Sequence, residues 1–273
     1  MWVWHPTESI TTEEARGDLL SFSKRKKINV IYLYTGEELL KEQTKHYQTF
    51  IKAASESEIQ VYALVGSPEW AKIENHSEAT DQLSNVFTYN ENSAEDEKFS
   101  GIQFDIEPYL LDEWEKEPKR VMNEYVRGLH VWKEEMRSYS DVKDFEWMVA
   151  IPFWFDHKEY ELTYKDVGKP LAEHIMDIVG SVVMMAYRDF AEGSDSIIRH
   201  VQHEVDYATE HDYKVIIGVE TKELKSEEKV TFFQEGETYM IEQLQVVENH
   251  FKGQKGYHGQ AIHDYESYRK LKD

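Results

Sequence analysis

Short runs of β-branched and aromatic residues alternate along this chain with longer amphipathic polar stretches, a pattern that predicts parallel βαβ units. The first run is Trp2 to His5, closed by Pro6, and a capped helix is expected next, with Thr11 or Thr12 placed ahead of Glu14. The second is Asn29 to Thr35, followed by a helix from about Glu37 to Ser55. The third is Ile59 to Gly66, ending at Ser67-Pro68-Glu69-Trp70, and the fourth is Gly101 to Glu107, stopped by Pro108. Glu146 to Phe155, Ser181 to Tyr187 and Lys214 to Thr221 are the fifth, sixth and seventh. The eighth, Gly259 to His263, follows the approach Gly253 to Gly256. Helical patterns lie between them, as in Arg120 to Arg137 and Ser196 to Thr209. The stretch Glu74 to Ser100 is less regular and holds the acidic patch Glu95-Asp96-Glu97; a helix and an exposed loop are expected there.

Several of the eight runs are apolar throughout, as strands buried on both faces require. Eight strands, each followed by helical sequence, predict an α/β fold: a single (β/α)8 TIM barrel spanning residues 1–273 as one domain. A barrel of this kind needs about 250 residues, and the chain has 273. No linker, low-complexity segment or further repeat interrupts the alternation.

Charge narrows the partners. There are 31 Lys and Arg against 53 Asp and Glu, a formal net charge of -22. Phosphate backbones and anionic membranes would be approached against this field, so nucleic acid is not an expected partner, and the surplus also serves solubility on helix surfaces. No apolar run approaches the roughly 18 residues of a membrane span, and membrane insertion is not expected. The chain has no cysteine, which excludes disulfides, thiolate metal sites and a cysteine nucleophile. The opening Met1 to Pro6 lacks the basic-then-apolar order of a signal peptide. Two compartments stay open: the cytoplasm, or secretion with a leader removed.

If the barrel forms, the C-terminal ends of its strands converge on one mouth, where active sites of this fold sit. Those ends carry Trp4 and His5; Tyr34 and Thr35; Ser67 and Trp70; Asp105 and Glu107; Trp154 and Asp156; Tyr187, Arg188 and Asp189; Glu220 and Thr221; and His263, Asp264 and Tyr265. Alternate strand residues share a face. Gln103, Asp105 and Glu107 should therefore point into the lumen, with Ile102, Phe104 and Ile106 turned to the helices. Two carboxyl groups two residues apart on one strand cannot both ionise freely at low dielectric, so one should hold its proton beside an ionised partner. Protonating a glycosidic oxygen requires such a pair; a structural network in which Arg188 or a backbone amide satisfies both carboxylates is the other reading.

On these residues the sequence resembles the chitinase-like glycoside hydrolases of family 18. Their fourth strand carries Asp-Gly-x-Asp-x-Asp-x-Glu, and this chain has Ser100-Gly101-Ile102-Gln103-Phe104-Asp105-Ile106-Glu107. Their sixth strand ends in Met-x-Tyr-Asp, and Met185-Ala186-Tyr187-Arg188-Asp189 is similar. The resemblance implies Glu107 as general acid/base, Asp105 as the aspartate that orients an N-acetyl group, and Tyr187 as the donor to its carbonyl. Ser100 and Gln103 replace two of the motif's aspartates, and the eighth strand lacks the tryptophan that floors the family's sugar site. These departures keep open a carbohydrate-binding barrel that has lost catalysis.

Glu220, at the end of the seventh strand, keeps open a third reading. It resembles the nucleophile of retaining glycosidases, whose two carboxyl groups lie about 5–5.5 Å apart. The catalytic candidates are thus Glu107, Asp105, Tyr187 and Glu220. Trp4, His5, Tyr34, Trp70, Gln103, Trp154, Arg188, Asp189 and His263 are the substrate-binding candidates, for an oligosaccharide or polysaccharide, possessed of β-linkages and N-acetylated in the leading reading. The 12 His are scattered without metal-ligand spacing, and His200 and His203 read as solvated on a polar helix. Neither a metal nor a cofactor is expected, since no Gly-rich phosphate loop, GxGxxG or GxSxG occurs.

Overall fold

The computed structural model describes residues 1–36, 39–139 and 145–273. All eight expected runs form strands: β1 (Trp2–Val3), β2 (Val30–Tyr34), β3 (Gln60–Val65), β4 (Gly101–Phe104) and β5 (Glu146–Pro152). An antiparallel hairpin of β6 (Glu161–Tyr164) and β7 (Val167–Pro170) intervenes before β8 (Ser181–Met185), β9 (Lys214–Glu220) and β10 (Tyr257–His263). The eight barrel strands pair in parallel in the order β1-β2-β3-β4-β5-β8-β9-β10. At the seam, Trp2 of β1 packs on His263 of β10 with ring centroids 5.7 Å apart. The chain is a (β/α)8 TIM barrel, nearly closed.

Helices cover the outside: α1 (Pro6–Ile10), α2 (Glu13–Arg25), α3 (Thr44–Ser55), α4 (His76–Glu91), α5 (Asp112–Lys116), α6 (Pro118–Ser138), α7 (Leu171–Val179), α8 (Ile197–His211), α9 (Glu237–Phe251) and α10 (Tyr265–Tyr268). Thr12 caps α2 by accepting from the Ala15 amide at 3.1 Å, and Ser196 caps α8 by accepting from Arg199 at 3.3 Å. The helix expected from about Glu37 begins only at Thr44; positions 37 and 38 lie outside the described residues. The irregular stretch 74–100 supplies α4 and a short turn at Glu95–Glu97.

Register sorts the strand side chains into two faces. Trp2 pairs with Tyr32, Tyr32 with Tyr62, and Tyr62 with Gly101. With Leu64, Met148, Val183 and Ala261, the three rings fill the lumen as a separate buried cluster. Gly101 leaves room for them, since a Cβ there would fall 2.5 Å from the Tyr62 ring. Where the strands start, the Tyr62 hydroxyl donates to Glu146, which Lys214 pairs at 2.5 Å, so the lumen is plugged at that end. On the other face Phe104, with no exposed surface, packs between Trp70, Trp132 and Trp147.

Most strands end earlier than the apolar runs suggest. β4 stops at Phe104 because its last ladder bond runs from the Asp105 amide to the Val65 carbonyl at 2.8 Å. Pro108 then opens a tight turn over Pro108–Leu110. Asp105, Ile106 and Glu107 are therefore placed by the strand exit, not by the sheet.

Candidate active site at the barrel mouth

Asp105 emerges from β4 against β3, and Gly66 makes the approach possible. A Cβ at Gly66 would overlap the Asp105 carbonyl. One carboxyl oxygen of Asp105 is buried without a hydrogen-bond partner. Burial, and then the negative charge of Glu107, push the Asp105 pKa up to about 7, while His263 pulls against them. Glu107 accepts a hydrogen bond from the Tyr109 hydroxyl, whose own pKa is raised by burial and by Glu107. Below the pair, Gln103 is wholly buried and neither atom of its amide has a partner.

Two further elements converge here. From the exit of β8, Tyr187 has its pKa raised well above the phenol value by burial and by the charges of Glu220, Asp105 and Glu107. From β9, Glu220 accepts at one oxygen from the Thr221 and Lys222 amides, both at 2.8 Å, and meets His263 Nδ1 with the other at 2.9 Å. The Trp4 indole donates to His263 Nε2 at 2.9 Å. Tyr109 and Tyr125 are members that sequence reasoning missed. Tyr109 follows Glu107 by two residues, a cue within reach. The buried Tyr125 hydroxyl on α6 has no partner and has its pKa raised by burial and by Asp105; it sits in an apolar helical stripe and gave no signal.

The remaining candidates divide. Trp154 stands beside Tyr109 at 5.0 Å, within an aromatic group that includes Trp114 and Tyr160. Tyr34 and Trp70 line a neighbouring cleft of about 340 Å³ with Gly66, Ser67, Glu78 and Asp81; the Trp70 ring is buried and donates to Glu78 at 3.2 Å. Arg188 is drawn away from the carboxyl pair. It bonds Asp195 at 2.8 and 3.0 Å and its own neighbour's carbonyl, and lies over Phe153 at 4.9 Å. Asp189 keeps one buried oxygen without a partner, and burial raises its pKa. His5 is exposed, and its charge acts on Glu266. His200 differs from the solvated side chain expected: its ring lies 3.8 Å from that of Phe153 and bonds Asp195 at 2.7 Å, because that edge of α8 faces the β5 exit. His203 is half-exposed and meets Glu173 at 3.0 Å.

No family model matches the chain, and no curated protein matches it by sequence. Solved structures do. A GH18 chitinase from Cycas revoluta, a double mutant in complex with (GlcNAc)4, matches over 97% of this chain and 94% of its own, with a TM-score of 0.56 at 11% identity. The fold is that of a chitinase-like TIM barrel. A GH18 chitinase from the same plant in complex with (GlcNAc)3 covers the same shares at 11% identity with a TM-score of 0.51. In this barrel, among the described residues, no group of three or more His, Asp or Glu is placed to hold a metal ion, and no helix is long and apolar enough to cross a membrane.

Proposed function

We propose that the protein is a glycoside hydrolase that cleaves a β-linked, N-acetylated glycan, with Glu107 as general acid/base. The observation that carries this reading is the carboxyl pair at the mouth, of which Asp105 keeps its proton up to about 7 beside Glu107. Near neutral pH the pair then enters the reaction with one proton between its members. Glu107 delivers a proton to the glycosidic oxygen as the bond from that oxygen to the anomeric carbon breaks. The acetamido oxygen of the same sugar attacks the anomeric carbon, oriented by Asp105 and by the Tyr187 hydroxyl. Water then opens the cyclic intermediate, and Glu107 takes its proton.

The retaining alternative needs Glu220 as a free nucleophile. Two backbone amides and His263 occupy its oxygens, which lowers their availability for attack and favours the substrate's own oxygen. The non-catalytic alternative draws on Gln103, a buried amide where the family carries an aspartate.

The test is hydrolysis of aryl glycosides and labelled oligosaccharides by the wild type, Glu107→Gln and Glu220→Gln. Loss on the order of 10²-fold or more in Glu107→Gln, with N-acetylated substrates preferred and only a modest loss in Glu220→Gln, is expected. Full activity of Glu107→Gln overturns the assignment. Equal loss in both variants points to Glu220 as nucleophile, and a wild type that binds glycan without cleaving it points to the binding barrel.

A further inference from the structure

The Glu220 carboxylate is fixed at its base by the two amide bonds from Thr221 and Lys222, leaving one oxygen for His263 Nδ1. An indole N–H can only donate, so the His263 Nε2 that meets Trp4 at 2.9 Å must present a lone pair. The neutral ring then carries its proton on Nδ1 and gives it to Glu220. One consistent set of protons runs from the β9 backbone through Glu220 and His263 to Trp4 on β1. The Trp4 ring leans on Tyr34 at 5.8 Å and on His263 at 6.2 Å. Trp2, two residues earlier, is sealed in the lumen at 2% exposure, whereas Trp4 is only partly buried. An aromatic ring with its polar tip satisfied and part of its surface open beside His263, whose charge reaches Asp105, suits stacking on the apolar face of a sugar ring.

We propose that the Glu220–His263–Trp4 chain holds the Trp4 indole as the sugar-stacking floor of the mouth, and that protonation of His263 releases it. The proposal rests on the glycan reading of the site. Its switch follows from donor and acceptor count: a proton on Nε2 would face the indole N–H, two donors with no acceptor, so that bond must break. The groups facing the ring are Glu220 from β9, Asp264 at 3.9 Å, Asp105 from the β4 exit and Tyr187 at 6.0 Å from the β8 exit. Burial opposes charge on His263, but the bond to Glu220 and the surrounding carboxylates outweigh it, and the pKa is raised above the ordinary histidine value.

Two measurements test this. In the wild type, ¹⁵N NMR of the His263 ring, assigned by its absence in His263→Asn, should show the Nδ1–H tautomer at pH 8. The Trp4 indole N–H resonance should move with the ring as it titrates. Binding of (GlcNAc)4, measured by calorimetry in a Glu107→Gln background, should weaken with the same midpoint as pH falls. Trp4→Ala should weaken it at least tenfold. His263→Asn, which keeps a donor for Glu220 but loses the acceptor for Trp4, should weaken it roughly threefold to tenfold, and Trp4→Phe should bind without that pH dependence. An Nε2–H tautomer at pH 8, an indole resonance indifferent to the titration, or binding within twofold in Trp4→Ala overturns the proposal. No binding by the parent, with the indole still following His263, overturns the floor role together with the glycan reading.

Discussion

Asp105 keeps its proton up to about 7 under burial and the charge of Glu107, whereas Asp195 on the rim is driven down by its bonds to Arg188, Lys229 and His200. Surroundings, not residue type, divide the acids of this barrel into those that carry a proton and those that anchor cations. The raised Asp105 sets a pH limit on the proposed chemistry: turnover should fall as pH rises through about 7 and the pair loses its shared proton. In Asp105→Asn, activity should drop on the order of 10²-fold and the alkaline fall should leave pH 7, because the general acid Glu107 no longer shares its proton with Asp105; a pH–rate profile with the fall intact near 7 would place the ionisation elsewhere. The carboxyl pair was legible because alternation along Gly101 to Glu107 puts polar and apolar residues on opposite sides. Its partners were less so. The ion pair of Arg188 with Asp195 crosses an irregular loop in which no periodicity links the two, and Tyr125 looks like any member of the buried stripe Val121, Met122, Val126 and Leu129 on α6.

The strand exits depend on how closely neighbouring elements approach. Gly66 lets β3 pass against the Asp105 carbonyl, so Gly66→Ala should force the two strands apart. The expected cost is roughly 1–3 kcal/mol of overpacking, with turnover lost through the displaced carboxyl. Gly17→Ala serves as control: it lies within α2, nothing lies within 4 Å of its added Cβ, and it should stabilise by about 0.5–1 kcal/mol. Denaturant unfolding of both variants checks this, and a Gly66→Ala protein that unfolds at the wild-type midpoint would mean the strands adapt. All eight strands were readable because β-branched and aromatic runs mark them, and the Thr11-Thr12 pair ahead of Glu14 marked one helix start, which the structure caps at Thr12. The β6–β7 hairpin was not. Its strands are four residues each, and its turn places Lys165 and Asp166 at φ of 48° and 65°, positions where Asn-Gly would have announced a hairpin.

Across the whole molecule, burial raises the pKa of several acids, among them Glu204 on α8, which has no exposed surface and no partner for either carboxyl oxygen. Burial, followed by the charge of Asp156, raises its pKa well above the carboxylate range. A raised folded-state pKa contributes stability that is fully present below the unfolded value and is lost as pH climbs through the folded one. Melting temperature should therefore fall more steeply between pH 5 and 8 in the wild type than in Glu204→Gln, by roughly 2–4 °C for each kcal/mol. Histidines with lowered pKa, such as His76 and His130, act in the opposite direction in both proteins and cancel in the comparison. Parallel melting curves for the two would show that Glu204 is solvated. The barrel as a whole was legible from eight alternations and a suitable length, because each βα unit announces itself locally; the way the lumen is stoppered was not, because Tyr62, Glu146 and Lys214 meet only after three strands align. That stopper and the rings above it leave no passage through the barrel axis among the described residues, so in the proposed hydrolase substrate arrives and product departs on the same side of the sheet.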